Sequence, residues 1–320
     1  MARNRLISYF LLILTAILWG FAAPIVKYTL SYIDPVSFLF YRFTIVCLIF
    51  LIPFIMAIKK VRFSSIQLIK LTIIGILGGP VTLLLIFWGA DKTTSLDASI
   101  IVAMAPILIV IAGATFLKER VTVQEKVGLL IAMLGTLITV LQPLVQGNFL
   151  ARQHLVGNLL VFFSNIAWAA YSIMVKKSSS RFSPLILTSI TFFSGLLILP
   201  FLFLYQRLDL INWQRSVSLP TSLFFEIHPK AIPGILYMSL FSSVIAYTTY
   251  NWGISLIEAS EATLFTYLQP IFAAPLAFFW LKEEVTAGFL IGAFLIAIGI
   301  FLTEFRKEKK ELYFEDLRSN

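Results

Sequence analysis

Arg42 is a charged residue inside an apolar stretch of the sequence. It follows "PVSFLFY" and precedes "FTIVCLIFLIP", so a helix that begins near residue 36 would carry it roughly 9 Å below the membrane surface. An ionised side chain at that depth is costly and rare. Arg42 therefore has two interpretations. It is either a counter-charge for a substrate carboxylate or phosphate, or a structural arginine that extends outward or bonds a carbonyl between helices.

Amide and aromatic side chains lie in other apolar stretches of the chain. An unpaired amide in lipid is unfavourable, so each of these residues either lines a watery cavity or bonds to a neighbouring helix. Large aromatic rings can line a cavity that binds an aromatic or amphipathic solute. The predicted substrate-binding residues are Arg42, Trp19, Asn165, Trp168, Tyr171, Tyr250, Asn251, Tyr267 and Gln269.

Glycine and proline interrupt several of the apolar stretches. Transporters use such breaks at binding sites and hinges, although proline kinks also occur where packing alone requires them. Two of the prolines recur at matching places in the two halves of the chain. The predicted hinge residues are Gly79, Pro80, Pro106 and Pro270.

The composition defines the environment of these residues. Of 320 residues, 59% are hydrophobic and 13% are charged, and the mean hydropathy is +0.92, which is typical of a membrane protein and not of a soluble domain. The segments are continuously apolar and do not alternate, so we predict an all-α membrane protein and no β-barrel. Ten segments approach the roughly 20 residues that span a bilayer: 7–28, 36–58, 71–90, 96–117, 126–145, 155–175, 184–206, 232–253, 261–281 and 286–304.

The basic residues predict the orientation of the chain. The net charge is +9, but lysine and arginine occur in short clusters between apolar segments, a pattern typical of membrane proteins and not of nucleic-acid binding. If the N-terminus is inside, most of the 25 lysine and arginine residues fall on the cytoplasmic side, so both termini are predicted to be cytoplasmic. The single cysteine, Cys47, indicates neither a disulfide nor a cysteine metal site, and no cofactor is expected.

The chain contains one pattern twice. The stretches "LKERVT" and "LKEEVT" lie 164 residues apart, and the same frame matches Pro106 with Pro270. Earlier in each half, an offset of 149 residues matches Trp19 with Trp168. Apolar letters match easily by chance, but tryptophan, proline and the Leu-Lys-Glu motif in ungapped frames do not. The sequence therefore predicts an internal duplication.

This duplication predicts two halves of five helices each. Residues 1–150 form the first predicted repeat, residues 151–305 form the second, and residues 306–320 form a charged cytoplasmic tail. A second copy of a five-helix unit must enter the membrane from the opposite side, so we expect the repeats to have inverted topologies. Inverted repeats are the construction of secondary transporters, whose binding site near the midplane is exposed to each side in turn.

Other functional classes fit the residues less well. An enzyme is not expected, because His154 and His228 lie in predicted loops and no zinc-protease or nucleophile motif occurs. Proton antiport is not expected, because no acidic residue falls in the middle of a predicted span. A channel would have the same apolar composition and remains an alternative.

The motifs "ILWGFAAPIVK", "FYRF" and "APILIVIAGATFLKERVT", with "QPIFAAPLAFFWLKEEVT" in the second half, resemble the EamA family of the drug/metabolite transporter superfamily. The resemblance covers residues 7–304. It implies a ten-helix carrier of small molecules in the cytoplasmic (inner) membrane. Export of amino acids or their derivatives is the predicted function. Uptake or exchange of a nucleotide derivative or a sugar phosphate is the alternative, and no feature indicates an oligomeric state.

Overall fold

The computed structural model describes residues 2–59, 61, 63–116, 123–141, 149–207, 227–257, 259, 262 and 264–304. Within these ranges every regular element is helical and no strand occurs. The prediction of an all-α fold is therefore confirmed for the described residues. The charged tail, residues 306–320, lies outside them.

The described residues of the first half form eight α-helices. A π-helical segment, Leu77–Val81, joins the fourth helix to the fifth. The helices are α1 (Ala2–Gly20), α2 (Ala22–Leu30), α3 (Pro35–Ile58), α4 (Ser65–Ile76), α5 (Thr82–Lys92), α6 (Ser95–Val102), α7 (Ala105–Phe116) and α8 (Val123–Leu141).

The second half repeats this arrangement with seven helices among its described residues. They are α9 (Phe149–Ser178), α10 (Pro184–Gly195), α11 (Leu199–Arg207), α12 (Ile232–Tyr237), α13 (Ala246–Leu256), α14 (Gln269–Phe279) and α15 (Ala287–Glu304). A π-helical segment, Met238–Ile245, joins α12 to α13. Short 3-10 turns, Pro229–Ala231 and Leu264–Leu268, precede α12 and α14.

Several helices are long and apolar enough to cross a membrane. In the part of the chain that the structure describes, seven segments meet both conditions: Asn4–Leu30, Pro35–Ile58, Ser65–Lys92, Ser95–Phe116, Arg152–Ser178, Pro184–Gln206 and Pro229–Leu256. Shorter apolar helices at Lys126–Leu141, Gln269–Phe279 and Ala287–Gly299 occupy the places of the other three predicted spans. The outward faces are apolar too, with Phe10, Ile52, Phe201 and Phe294 each more than 60% exposed. The chain is a multi-pass membrane protein.

The two halves begin their second long helix in the same way. Asp34 accepts a hydrogen bond from the Ser37 backbone N–H at 2.9 Å, and Pro35 follows it at the first helical position. Ser183 caps α10 and is likewise followed by a proline, Pro184. An acceptor followed by proline is a strong signal for a helix start, because it satisfies a free backbone donor and presets the helical φ angle. The two caps lie 149 residues apart.

Several predicted spans are interrupted, at corresponding places in the two halves. The π-helical segment Leu77–Val81 contains Pro80, which lacks a backbone donor and displaces the carbonyl of the preceding turn. Its counterpart 164 residues later falls within Met238–Ile245. The break at residues 103–104 corresponds in the same way to the end of the 3-10 turn before α14. Interruptions thus lie within the predicted spans 7–28, 71–90, 96–117, 184–206, 232–253 and 261–281, and glycine and proline indicated those near Gly79, Pro106 and Pro270.

The two halves interleave through equivalent helices. Helix α1 lies along α13, and α9 lies along α5. A Cβ on Gly89 would lie 2.5 Å from Val161 Cγ2, and one on Gly253 would lie 2.7 Å from Leu12 Cγ, so both contacts require glycine. Gly89 and Gly253 are related by the 164-residue offset, and Leu12 and Val161 by the 149-residue offset. The same helix contact thus occurs twice.

Candidate functional site

A cavity of about 120 Å³ lies where the two halves meet. Its walls come from α1, α2, α3, α5, α6 and α7 of the first half and from α9, the π-helical segment Met238–Ile245, α13, α14 and Thr266 of the second. Among the lining residues that the structure describes, Arg42 is the one with a charged side chain. The other side chains are apolar, aromatic, or neutral hydroxyl and amide groups. A largely apolar cavity with a few convergent polar groups is the usual form of a small-molecule site.

The Arg42 side chain is only 1% exposed and lines this cavity. Its Nε donates to Ser243 Oγ at 2.7 Å, and its Nη2 donates to Ser242 Oγ at 3.4 Å. Its Nη1 has no hydrogen-bond partner. In the described part of the chain, three buried side-chain nitrogen or oxygen atoms lack a partner, and this is one of them. A guanidinium has five N–H donors. Arg42 thus keeps donors that pair with no acceptor among the described residues, on a side chain that lines the cavity.

Two local structures position this guanidinium. Helix α3 begins at a defined place because of the Asp34 cap, and fully buried Phe38 and Phe43 pack it into the core on either side of Arg42. Opposite, the π-helical segment Met238–Ile245 presents its serine hydroxyls to Arg42; segments of this kind frequently occur at functional sites. The ring centroid of Phe87 lies 5.6 Å from Arg42 Cζ, close enough to attract the cation.

Aromatic residues form the wall next to Arg42. The ring centroids of Trp19 and Trp168 are 5.3 Å apart in an edge-to-face arrangement, and Tyr247 lies 5.4 Å from Trp19. The indole N–H of Trp19 donates to the Ser242 backbone oxygen at 3.0 Å, and the Tyr247 hydroxyl donates to the Gly78 backbone oxygen at 3.0 Å. Both polar atoms are bonded to the protein, so these residues present mainly ring surface to the cavity.

Amides complete the lining. Asn165 is 2% exposed, and its Nδ2 donates to the Ile101 backbone oxygen at 2.6 Å, near the break between α6 and α7. Gln269, the first residue of α14, lines the cavity from the opposite half. Asn165 thus combines the two roles that the sequence left open, because it joins two helices and also faces the cavity.

Comparison with known proteins identifies the family. A sequence profile described as "EamA-like transporter family" matches residues 6–141 and again residues 155–305. The chain belongs to the EamA-like transporter family. The two matches agree with the internal duplication, and membership makes the protein a membrane transporter of small molecules.

Two relatives of this EamA-like transporter are also named as transporters. An "Uncharacterized transporter" from Archaeoglobus fulgidus is 28% identical over 295 residues, which covers 92% of this chain and 98% of the relative. "Uncharacterized transporter YyaM" from Bacillus subtilis is 28% identical over 297 residues, covering 91% of this chain and 92% of the relative. A solved crystal structure matches the fold with a TM-score of 0.62 at 18% identity, covering 97% of this chain and 99% of that one.

The structure of the EamA-like transporter brings five of the nine predicted binding residues to one cavity: Trp19, Arg42, Asn165, Trp168 and Gln269. Three others, Tyr171, Tyr250 and Asn251, do not line it, although the Tyr171 and Tyr250 rings pack against Trp168 with centroids 4.9 and 5.1 Å away. The Tyr171 hydroxyl donates to Asn251 Oδ1 at 3.0 Å, and Tyr250 shares a hydrogen bond of 2.9 Å with Ser172. The side chain of Tyr267 lies outside the described residues.

Sequence reasoning missed several lining residues of the transporter. Ser242 and Tyr247 bond to Arg42 and to Gly78, and both face the cavity. Serine and threonine are frequent in membrane helices, where they bond to the backbone of the preceding turn, so their type alone carries little signal. Tyr247 lies in the same predicted span as Tyr250, a predicted binding residue. The missed polar lining residues are Thr82, Ser99, Ser242, Tyr247 and Thr266.

The predicted hinge residues of the transporter lie at or beside interruptions of its helices. Gly79 and Pro80 are within the π-helical segment, and a Cβ on Gly79 would lie 2.3 Å from the Thr191 backbone oxygen. Pro106 and Pro270 are the second residues of α7 and α14, where a backbone N–H would have no helical partner. The breaks themselves precede these two prolines. The hinge role stays a prediction.

Symmetric contacts also join the ends of the helices. Lys27 Nζ donates to the backbone oxygens of Ala90 at 2.9 Å and Asp91 at 3.3 Å. At the corresponding place in the second half, Lys176 Nζ donates to the backbone oxygens of Ile254 and Ile257. A cation at the carboxyl end of a helix is favourable because the carbonyls there lack helical partners. Lys27 thus joins α2 to the end of α5, and Lys176 joins α9 to the end of α13.

Proposed function

We propose that this transporter is a secondary carrier that moves small metabolites bearing an acidic group, and that the cavity beside Arg42 is its binding site. Amino acids and their derivatives are the proposed substrates, and export across the cytoplasmic membrane is the proposed direction. The observation that carries this proposal is that Arg42 lines the cavity and keeps its buried Nη1 unpaired.

The surroundings of Arg42 support a ligand at this nitrogen. A buried charge is costly unless it is compensated, and the two serine hydroxyls carry no negative charge. A substrate carboxylate would supply both the missing acceptor and the counter-charge. Charge-assisted hydrogen bonds from arginine to a carboxylate are among the strongest that proteins form. The site would then be fully compensated only when the substrate is bound.

The volume of the cavity supports the smaller of the two substrate classes. A space of about 120 Å³ suits a solute of amino-acid size. A nucleotide derivative or a sugar phosphate, the alternative substrates, would also accept hydrogen bonds from Arg42. They are larger, however, and would need the cavity to expand.

The internal symmetry supports alternating access. We propose ten membrane-spanning helices arranged as two inverted repeats, with both termini in the cytoplasm. The interleaved contacts of α1 with α13 and of α9 with α5 are those that a two-fold axis between the repeats would generate. The corresponding bonds of Lys27 and Lys176 would lie on opposite sides of the membrane in this arrangement. A site between such repeats can be exposed to each side in turn.

Counter-flow in proteoliposomes tests the proposal. Vesicles loaded with an unlabelled amino acid or derivative should accumulate the labelled solute transiently, which a channel does not produce. Arg42→Ala should abolish this accumulation, and Arg181→Ala, which removes an exposed arginine at the start of α10, should leave it unchanged. Full counter-flow in Arg42→Ala would overturn the site. Flux without counter-flow would overturn the carrier mechanism in favour of a channel.

A further inference from the structure

We propose that the site selects solutes whose only charge is one acidic group, so that deaminated or N-acylated amino acids bind more tightly than the free zwitterions. This inference rests on the proposed function and deepens it. It concerns the half of the substrate that does not contact Arg42, which the family resemblance leaves undefined.

The first step concerns the position of the Arg42 guanidinium. The Ser242 hydroxyl accepts from Arg42 Nη2, while the backbone oxygen of the same residue accepts from the Trp19 indole. The guanidinium and the indole are therefore neighbours around one residue. A carboxylate bound at Arg42 Nη1 would place the next atoms of the solute, including any α-amino group, close to both.

The second step concerns what the α-amino group would meet there. Ammonium groups can bind to aromatic faces, but Trp19 and Trp168 line the same cavity as the buried guanidinium of Arg42. Like charges repel strongly in a medium of low polarity. The acidic residue nearest in sequence to the lining residues of α6 is Asp97, and its carboxylate accepts from Asn158 Nδ2 at 3.4 Å. The Asp97 carboxylate therefore contacts α9, and Asp97 is not among the lining residues of the cavity.

The third step concerns the remaining lining. Leu83, Ile86, Val102 and Ala273 contribute apolar surface around the rings. A charged ammonium placed on this surface would lose its hydration without gaining a counter-charge, whereas an oxo or acylamino group would lose much less. The cavity thus presents one end that matches an acid and a wall that matches an uncharged, apolar body.

Four ligands with the leucine skeleton test this selectivity. They are 4-methyl-2-oxopentanoate and N-acetyl-L-leucine, which are anions, L-leucine, which is a zwitterion, and L-leucinamide, which is mostly a cation near neutral pH. Binding to the purified transporter in nanodiscs is measured by calorimetry, and exchange is measured by counter-flow. We expect both anions to bind about tenfold or more tightly than L-leucine, and L-leucinamide not to bind. The oxo acid and L-leucine are closely matched in size, so they isolate the effect of charge.

Two variants connect the selectivity to Arg42. Arg42→Gln removes the charge and should abolish the preference for the anions. Arg42→Lys keeps the charge without the planar fork, so it should weaken binding about tenfold while preserving the order of the ligands. If Arg42→Gln does not fold, the order of the ligand affinities in Arg42→Lys still tests the inference. Thr191→Val, at the corresponding position of the other half, is the control and should change neither affinity nor order.

The outcomes separate this inference from the proposed function. Tighter binding and exchange of L-leucine than of its oxo acid would overturn the inference and leave an Arg42-dependent amino-acid carrier. Binding of L-leucinamide would overturn it as well. If none of the four ligands binds, the inference fails, and counter-flow with a wider panel of amino acids then decides whether the carrier proposal fails too.

Discussion

Arg42 and Thr191 occupy corresponding positions of the two halves, 149 residues apart, but their surroundings differ. Arg42 lines a cavity and keeps one nitrogen unpaired. Thr191 is fully buried, and its hydroxyl donates to the Leu187 backbone oxygen at 2.9 Å and contacts the Tyr171 hydroxyl at 3.4 Å. We call these two regions the Arg42 side and the Thr191 side.

Side-chain volume explains why one side is open and the other is filled. Ala22 lines the cavity on the Arg42 side, and its counterpart 149 residues later is Tyr171. The Tyr171 ring packs against Gly78, where a Cβ would lie 2.2 Å from the ring. Gly78 is in turn the counterpart of Ser242, a partner of Arg42, by the 164-residue offset. A duplicated backbone thus carries a cavity on one side and a packed core on the other.

Hydrogen bonds also pair the amide and hydroxyl groups around Tyr171. Asn251 accepts from the Tyr171 hydroxyl and donates from Nδ2 to Thr188 Oγ1 at 2.9 Å. Its counterpart on the Arg42 side is Phe87, which has no polar group. A satisfied buried network stabilises one arrangement of helices, whereas an incompletely paired cation provides a site for a partner. The comparison supports the proposal that the Arg42 side binds, whereas the hydrogen bonds of the Thr191 side join α9, α10 and α13 of the second half.

The largest effect is expected when the Arg42 side is made to resemble the other. Arg42→Thr removes the cation and should lower counter-flow on the order of a thousandfold, because the loss of one partner of a buried charged hydrogen bond typically costs about 4 kcal/mol. Transport rates in proteoliposomes with equal protein content measure the effect. Arg181→Thr serves as the control. Transport within threefold of wild type would show that Arg42 has only a structural role.

Tyr171→Ala should open the Thr191 side. The loss of a fully buried aromatic ring should destabilise the protein by about 3 kcal/mol, seen as a lower midpoint of thermal unfolding in detergent. The change introduces alanine, the residue type found at the corresponding position of the Arg42 side, where Ala22 lines the cavity. An unchanged midpoint would contradict the view that the Tyr171 ring packs the filled side.

Asn251→Leu should have a smaller effect on the same network. It leaves the Tyr171 hydroxyl without its acceptor on Asn251 and Thr188 without a donor, which should cost about 2 kcal/mol. The midpoint of unfolding again reports the loss, and the double variant with Tyr171→Phe tests coupling. Strict additivity of the two changes would contradict a shared network.

The smallest effect is expected for Thr191→Val, which keeps the shape of the side chain. Its hydroxyl bonds within α10 and only weakly to Tyr171, so the stability should fall by about 0.5 to 1 kcal/mol, and the affinity for substrates should not change. Calorimetric titration and thermal unfolding give the two numbers. A tenfold loss of substrate affinity would place the Thr191 side in the binding site and end the contrast between the two regions.

Some features of this transporter could be predicted from the sequence alone. The composition predicts an all-α membrane protein, and repeated tryptophan, proline and Leu-Lys-Glu motifs predict the duplication. Arg42 was identifiable because a charged residue in an apolar helix is rare. Asp34-Pro35 and Ser183-Pro184 mark two helix starts directly, because capping depends on neighbouring residues.

The sequence could not show which polar residues line the cavity and which lie in the packed core. Tyr171, Tyr250 and Asn251 resemble Asn165 and Trp168 as sequence features, since all are polar or aromatic residues in apolar spans. Whether each meets open space depends on the size of residues from other helices, and the contacts of Trp19 with Ser242 and of Arg42 with Ser243 span more than 200 positions. Glycine and proline indicated breaks near Gly79, Pro106 and Pro270, but not that Leu77–Val81 and Met238–Ile245 are π-helical.

The sequence by itself determined the class of the protein, its duplication and the presence of a cation, Arg42, in an apolar helix, because hydrophobicity, repetition and charge are properties of residues in order. The tertiary structure alone decided which copy of the duplicated framework contains the cavity. That outcome depends on packing across the two halves, where Ala22 leaves space and Tyr171 fills it. Close packing makes such differences decisive, since one ring occupies the volume that a small ligand needs.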